Sequence, residues 1–171
     1  MKTTAIRVLN PATDHERRVI SMMEAFGQNC PAYPTVADYA TRRLRVMLLL
    51  EEVLEYAYES AVDLVFLPTA DKDRQVLDIK CIKAEPVGDR QPNLPGMVDA
   101  LGDISVVNVG AFVAHGVRMT PVLEMIDANN LLKYSTGSTD PVSGKFIKAP
   151  NHPVPDIRLV LTQQGWEEDD D

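Results

Sequence analysis

The stretch Leu48-Leu49-Leu50-Glu51-Glu52-Val53-Leu54-Glu55, "LLLEEVLE", sets three carboxylates inside a run of leucines. It lies in a longer pattern, "TVADYATRRLRVMLLLEEVLEYAYESA", which runs from Thr35 to Ala61 without an internal Pro or Gly and predicts the longest helix of the protein. On a helix, residues three and four apart share a face, so Glu51 stacks on Glu55 and Glu52 sits beside it. Glu51 then has Met47, Leu48 and Leu54 as neighbours, and Glu52 has Leu48, Leu49 and Tyr56. The acidic group interrupts an apolar surface instead of lying opposite one, which is not the pattern of a solvated helix face.

A second acidic helix follows. "PNLPGMVDALGDISVVNVGAFVAHG" reads as about five turns ending at Gly116, and between Met97 and Ala114 its only polar side chains are Asp99, Asp103, Ser105 and Asn108. A helix apolar almost all round is expected to be buried. Asp99 and Asp103, four apart, share one face, and an ionised carboxylate in such a place costs several kcal/mol unless it is paired or bound to a metal. Arg42, Arg43 and Arg45 are the available ion-pair partners, but they lie about two turns before Glu51 and reach only carboxylates of another element. Five carboxylates from two helices with no interleaved Lys or Arg are the donor set of a hard divalent cation, Mg²⁺ above all, with Mn²⁺ as a substitute. Glu51, Glu52, Glu55, Asp99 and Asp103 are therefore the candidate metal ligands, lining a cleft.

Outward from these helices the pattern is mostly helical. "DHERRVISMMEAFGQ" brings Val19, Met22, Met23 and Phe26 to helical spacing after Asp14, a candidate cap, and predicts a first helix ending near Gly27. "VDLVFLP" and "QVLDIKCIK", divided by "TADKDR", predict a β-hairpin over about 62–84. "TPVLEMIDANNLLKY" predicts a further helix, with Thr120 as cap and Pro121 at its first position. From Ser135 to Asp156 four prolines and two glycines in 22 residues leave no room for a regular element. The expected fold is an all-α bundle of four to five helices with a small inserted hairpin and an irregular C-terminal loop, one domain over 1–171, with the acidic tail 167–171 solvated.

Composition narrows the function classes. A chain of 171 residues that is 45% apolar is long enough for a single core. The start of the chain shows no h-region or cleavage site, and the sequence reads as a soluble cytoplasmic protein with no membrane partner. Cys30 and Cys81 lack metal or redox spacing and read as reduced thiols. With 25 acidic against 17 basic side chains the net charge is -8, which argues against a nucleic-acid partner. The positive charge that a phosphate ligand needs lies downstream, in "NNLLK" with Asn130 and Lys133, and in "GKFIKAPN" with Lys145, Lys148 and Asn151. Glu124, Asp127 and Asn130 share a face at spacing three and add a possible metal, sugar or phosphate contact. His15, His115 and His152 suggest no role.

Taken in order, "EAFGQ", "EEVLE", "DALGDISVV", "NLLK" and "GKFIKAPNHPVPD" resemble the all-α nucleoside triphosphate pyrophosphohydrolases, the superfamily of the MazG-like enzymes, the dimeric dUTPases and phosphoribosyl-ATP pyrophosphohydrolase. The similarity runs from about Met23 to Asp156 and is greatest to the MazG-like branch of bacteria and phages. It departs at Ala100, which stands where many relatives carry the Glu of an ExxD pair, with Asp99 one residue earlier. The resemblance implies Mg²⁺-dependent hydrolysis of a nucleoside triphosphate to the monophosphate and pyrophosphate, in a homodimer. It implies that Glu51, Glu52, Glu55 and Asp103 hold the ions and that one carboxylate orients or deprotonates the attacking water. Lys133, Lys145 and Lys148 would meet the phosphates, and Asn130 or Asn151 the phosphates or the sugar. The reading from another class is a non-catalytic, metal-binding helical bundle with a regulatory or interaction role.

Overall fold

The computed structural model of the chain describes residues 13–66, 81–141, 144 and 146–167. Among them are five helices and two small antiparallel ladders, in the order α1 (Asp14–Ala25), α2 (Tyr39–Glu59), β1 (Val62–Phe66), β2 (Ile82–Pro86), α3 (Leu94–Ala114), α4 (Met119–Thr136), β3 (Ser138–Thr139), β4 (Phe146–Ile147) and α5 (Ile157–Gln163). The all-α class with an inserted hairpin is what the sequence predicts.

The caps explain where the helices begin. Thr13, not Asp14, caps α1: its hydroxyl accepts the Glu16 N–H at 3.1 Å while Glu16 Oε2 accepts the Thr13 N–H at 2.7 Å, a reciprocal capping box. The long helix starts at Tyr39 instead of Thr35. Thr35 N–H donates to the His115 carbonyl at 2.9 Å and Ala37 N–H lies 3.2 Å from His115 Nδ1, so the segment ahead of α2 is committed to bonds that a helix would need. Asp38 then caps α2 by accepting the Thr41 N–H at 2.8 Å, and that bond holds its carboxyl below the usual carboxylate range.

β1 and β2 pair from Val62 opposite Pro86 to Phe66 opposite Ile82. The tip of the expected hairpin, 67–80, lies outside the described residues. α3 stops as predicted. Gly116 takes φ +66, its N–H bonds the Val113 carbonyl at 2.9 Å, and a Cβ there would strike the Tyr33 carbonyl. α4 is not capped by Thr120. Its first N–H, on Met119, donates to Glu16 Oε1 at 2.9 Å, from a residue more than a hundred positions away. The region expected to be irregular holds the two-residue ladder β3–β4, and the seven-residue α5 follows it, capped by Asp156.

The chain divides into two compact units, Asp38–Asn108 and the segments on either side of it. The flanking unit has a core of Val19, Met23, Val109, Val113, Ala114, Val122 and Val160. Two buried polar side chains tie it together: Glu16, and Gln164, whose amide accepts the Arg118 N–H at 2.6 Å and donates to the Arg118 carbonyl at 3.2 Å. The Asp38–Asn108 unit is different. Among its described residues only Ala61, Ala100 and Arg45 are buried, while Val46, Met47, Leu50, Val53 and Leu54 of α2 and Val98 and Leu101 of α3 are exposed. The expectation that α3 is buried all round is thus corrected: Ala100 is fully buried, but Val98, Leu101, Gly102 and Ser105 of its first half are exposed. By length and composition alone α3 would suffice to cross a membrane.

Candidate metal centre

All five candidate ligands fall in the Asp38–Asn108 unit. The stripe Arg45, Leu49, Glu52 and Tyr56, at spacings of four, three and four, is the covered face of α2, with Arg45 buried and the other three half-buried. Glu52 therefore points inward. Glu51 and Glu55 flank it on the exposed side, and Asp99 and Asp103 are exposed on α3. An open cleft of about 680 Å³ runs along α3, lined by Val98, Asp99, Gly102, Asp103 and Val106 among others. The leucines of the opening stretch do not enclose the site in this chain: Leu48 and Leu49 are half-buried, and Leu50 and Leu54 are exposed.

Glu52 reports the field of the site. Burial pushes its carboxyl above the ordinary value of 4.5, and the charges of Asp103, Glu55, Glu51 and Asp99 push it further in the same direction. The two acidic helices thus bring all four other candidate ligands within electrostatic reach of Glu52. Among the described residues none of the five has an ion-pair partner. Of the arginines considered as partners, Arg42 acts on Asp38 instead. The donors are all carboxylate oxygens, the chemistry a hard divalent cation requires. Among the described residues no three His, Cys, Asp or Glu side chains are gathered in a ligating array. Like charges stand apart when nothing between them attracts both.

The candidate substrate residues belong to the other unit. Glu124, Asp127 and Asn130 are exposed on α4, Lys133 is half-buried in its last turn, and Lys148 and Asn151 are exposed on the following loop. Lys145 lies outside the described residues. Sequence reasoning missed Asn129. Its side-chain oxygen lies 2.9 Å from His152 Nε2 and its amide donates to the Pro153 carbonyl at 2.8 Å, so it fastens to α4 the loop that carries Lys148 and Asn151. The signal was the doubled "NN" beside a later His-Pro. His115, which suggested no role in the sequence, holds the chain ahead of α2. Tyr134 and Phe146, not singled out either, form a ring pair beside Lys133.

No family model matches this chain, and no curated protein does.

Proposed function

We propose that the protein is a cytoplasmic, Mg²⁺-dependent nucleoside triphosphate pyrophosphohydrolase, cleaving between the α and β phosphates to give the monophosphate and pyrophosphate, and serving to clear the nucleotide pool. The observation that carries this reading is the uncompensated carboxylate field at Glu52, raised by four other carboxylates on two helices. A cation is what such a field attracts, and the motif resemblance names the chemistry. Glu51, Glu52, Glu55, Asp99 and Asp103 would hold Mg²⁺, or Mn²⁺ in its place. When bound, the metal supplies charge neutralisation at the phosphates and a water of lowered pKa.

The chain's own groups do the rest. One of Glu51, Glu52 and Glu55 orients the water and accepts its proton. Lys133, Lys145 and Lys148 draw the triphosphate by charge, and Asn130 and Asn151 donate to phosphate or sugar oxygens. Glu124 and Asp127, on the Asn130 face of α4, remain secondary contacts.

The uncovered stripes of α2 and α3 support a homodimer. Val46, Met47, Leu50, Val53 and Leu54 recur at helical spacing, and with Val98 and Leu101 they leave few buried apolar side chains among the described residues of the Asp38–Asn108 unit. A second copy would cover them. Spanning a bilayer is the poorer use of α3, because Asp103 would lie at its centre, at a cost of about 2.5–3.5 kcal/mol, with Asp99 one turn away.

The second reading, a non-catalytic metal-binding bundle with a regulatory or interaction role, is favoured by one observation: the carboxylates are not gathered. Pyrophosphate release from a panel of NTPs and dNTPs, with Mg²⁺ and with EDTA, separates the two. Release from at least one nucleotide in Mg²⁺ alone supports the hydrolase, whereas no release from any nucleotide leaves the bundle reading.

A further inference from the structure

We propose that Tyr134 and Phe146 form a stacking platform for the nucleobase of a nucleoside triphosphate, with Lys133 placed to meet the phosphate chain of the same ligand; this rests on the pyrophosphohydrolase reading and adds to it a base subsite. The local fold builds the platform. α4 ends at Gly137, and the β3–β4 ladder turns the chain back so that Phe146 returns against the last turn of the helix. Gly137 is required there, because a Cβ would strike both the Ile147 carbonyl and the Phe146 ring. The Tyr134 and Phe146 ring centroids are 4.8 Å apart at 59°, a tilted pair that fixes one ring against the other.

The two rings are not equivalent. Phe146 is half-buried and serves as the backing, while Tyr134 is 64% exposed. A ring recruited only to anchor a turn would be the more covered of the pair. The Lys133 ammonium lies 5.5 Å from the Phe146 centroid and 5.9 Å from that of Tyr134, and among the described residues it has no carboxylate partner. An open aromatic face with an unpaired ammonium at its edge suits a ligand that is itself a flat ring carrying an anion. A nucleoside triphosphate has both parts. An inorganic polyphosphate or a sugar phosphate has only the second, and would use the lysine and leave the ring idle.

The test compares ligands with and without a base. Binding of dATP, dCTP and inorganic tripolyphosphate is measured by titration calorimetry with Ca²⁺ replacing Mg²⁺ to prevent turnover, on the wild type and on Tyr134→Phe, Tyr134→Leu and Lys133→Met. Base–aromatic stacking of ordinary strength predicts that Tyr134→Leu weakens the nucleotides about 5- to 100-fold. Tripolyphosphate should stay within about twofold, Tyr134→Phe should resemble the wild type, and Lys133→Met should weaken all three ligands. Nuclear Overhauser contacts between base protons and the Tyr134 ring, sought in the wild-type chain, need no variant to fold. Equal affinity of the wild type for tripolyphosphate and nucleotides, or the absence of those contacts with nucleotide bound, overturns the platform while leaving the hydrolase reading intact. If the wild type binds none of the three, both fall.

Discussion

Glu16→Gln is the most demanding test of how the flanking unit is held together. Glu16 is 2% exposed, and its two oxygens accept the Thr13 N–H at 2.7 Å and the Met119 N–H at 2.9 Å, so one carboxylate closes the N-terminal ends of α1 and α4 together. A glutamine of the same shape keeps one acceptor and turns an NH₂ toward the other donor. A hydrogen bond to a charged group is worth about 1.5–3 kcal/mol net. Loss of the charge at two helix N-termini adds about 0.3–1 kcal/mol for each. The expected cost is about 2–5 kcal/mol, which for a chain of this size lowers Tm by roughly 4–20 °C. Thermal and urea unfolding in EDTA measure it, with Asp14→Asn as the control. Asp14 is an exposed neighbour paired, among the described residues, with Arg17, and its loss should cost less than about 1 kcal/mol. A Glu16→Gln variant that melts within about 2 °C of the wild type would refute the claim that this carboxylate fastens α4 to α1.

Gly116→Ala should cost about 2–4 kcal/mol in urea unfolding, because φ +66 and the neighbouring Tyr33 carbonyl both resist a Cβ, and that backbone cannot step aside. In EDTA the folded Glu52 carboxyl binds its proton more readily than the unfolded one, so its contribution to stability falls as pH rises from 4.5 through its raised value. Wild-type melting should therefore show a component that improves as the pH falls toward 4.5, absent in Glu52→Gln; identical pH profiles for the two would contradict the acidic field. Val53→Lys, in the middle of the uncovered stripe of α2, should convert a dimer to a monomer of 18.9 kDa in sedimentation, and an unchanged mass would place the interface elsewhere.

Helical spacing made the elements legible, and contacts distant in sequence set their ends. Val19 and Met23, four apart, are buried as their spacing predicts, and the break at Gly116 follows from glycine's access to positive φ. The start of α2 was misread because the partner that holds Thr35 and Ala37 is His115. The cap of α4 was misread because it comes from Glu16, which a local reading assigns wholly to the first helix. The acidic constellation was legible as spacing, and the charges of Asp103, Glu55, Glu51 and Asp99 act on Glu52. Its burial was not. An apolar surface in the sequence does not say what covers it, and among the described residues Leu50, Leu54, Val98 and Leu101 are exposed. Tyr134 and Phe146 were missed because the β3–β4 turn that joins them leaves no periodic trace.

A Mg²⁺ titration of thermal stability, run on the wild type and on Asp103→Asn, bears most directly on the acidic site. Asp103 is the charge that raises Glu52 most, and it forms a like-charge pair with Asp99 one turn away. Without metal its removal should leave Tm unchanged or raise it by about 0.5–2 °C, since a like-charge pair at this spacing costs about 0.2–0.5 kcal/mol. With metal the wild type should gain stability as RT ln(1 + [Mg²⁺]/Kd), about 2.7 kcal/mol at a hundredfold excess over Kd, and Asp103→Asn should lose that gain. A wild type indifferent to Mg²⁺, or an Asp103→Asn variant that melts much earlier in EDTA yet responds to Mg²⁺ as the wild type does, would contradict the assignment of these carboxylates to a metal.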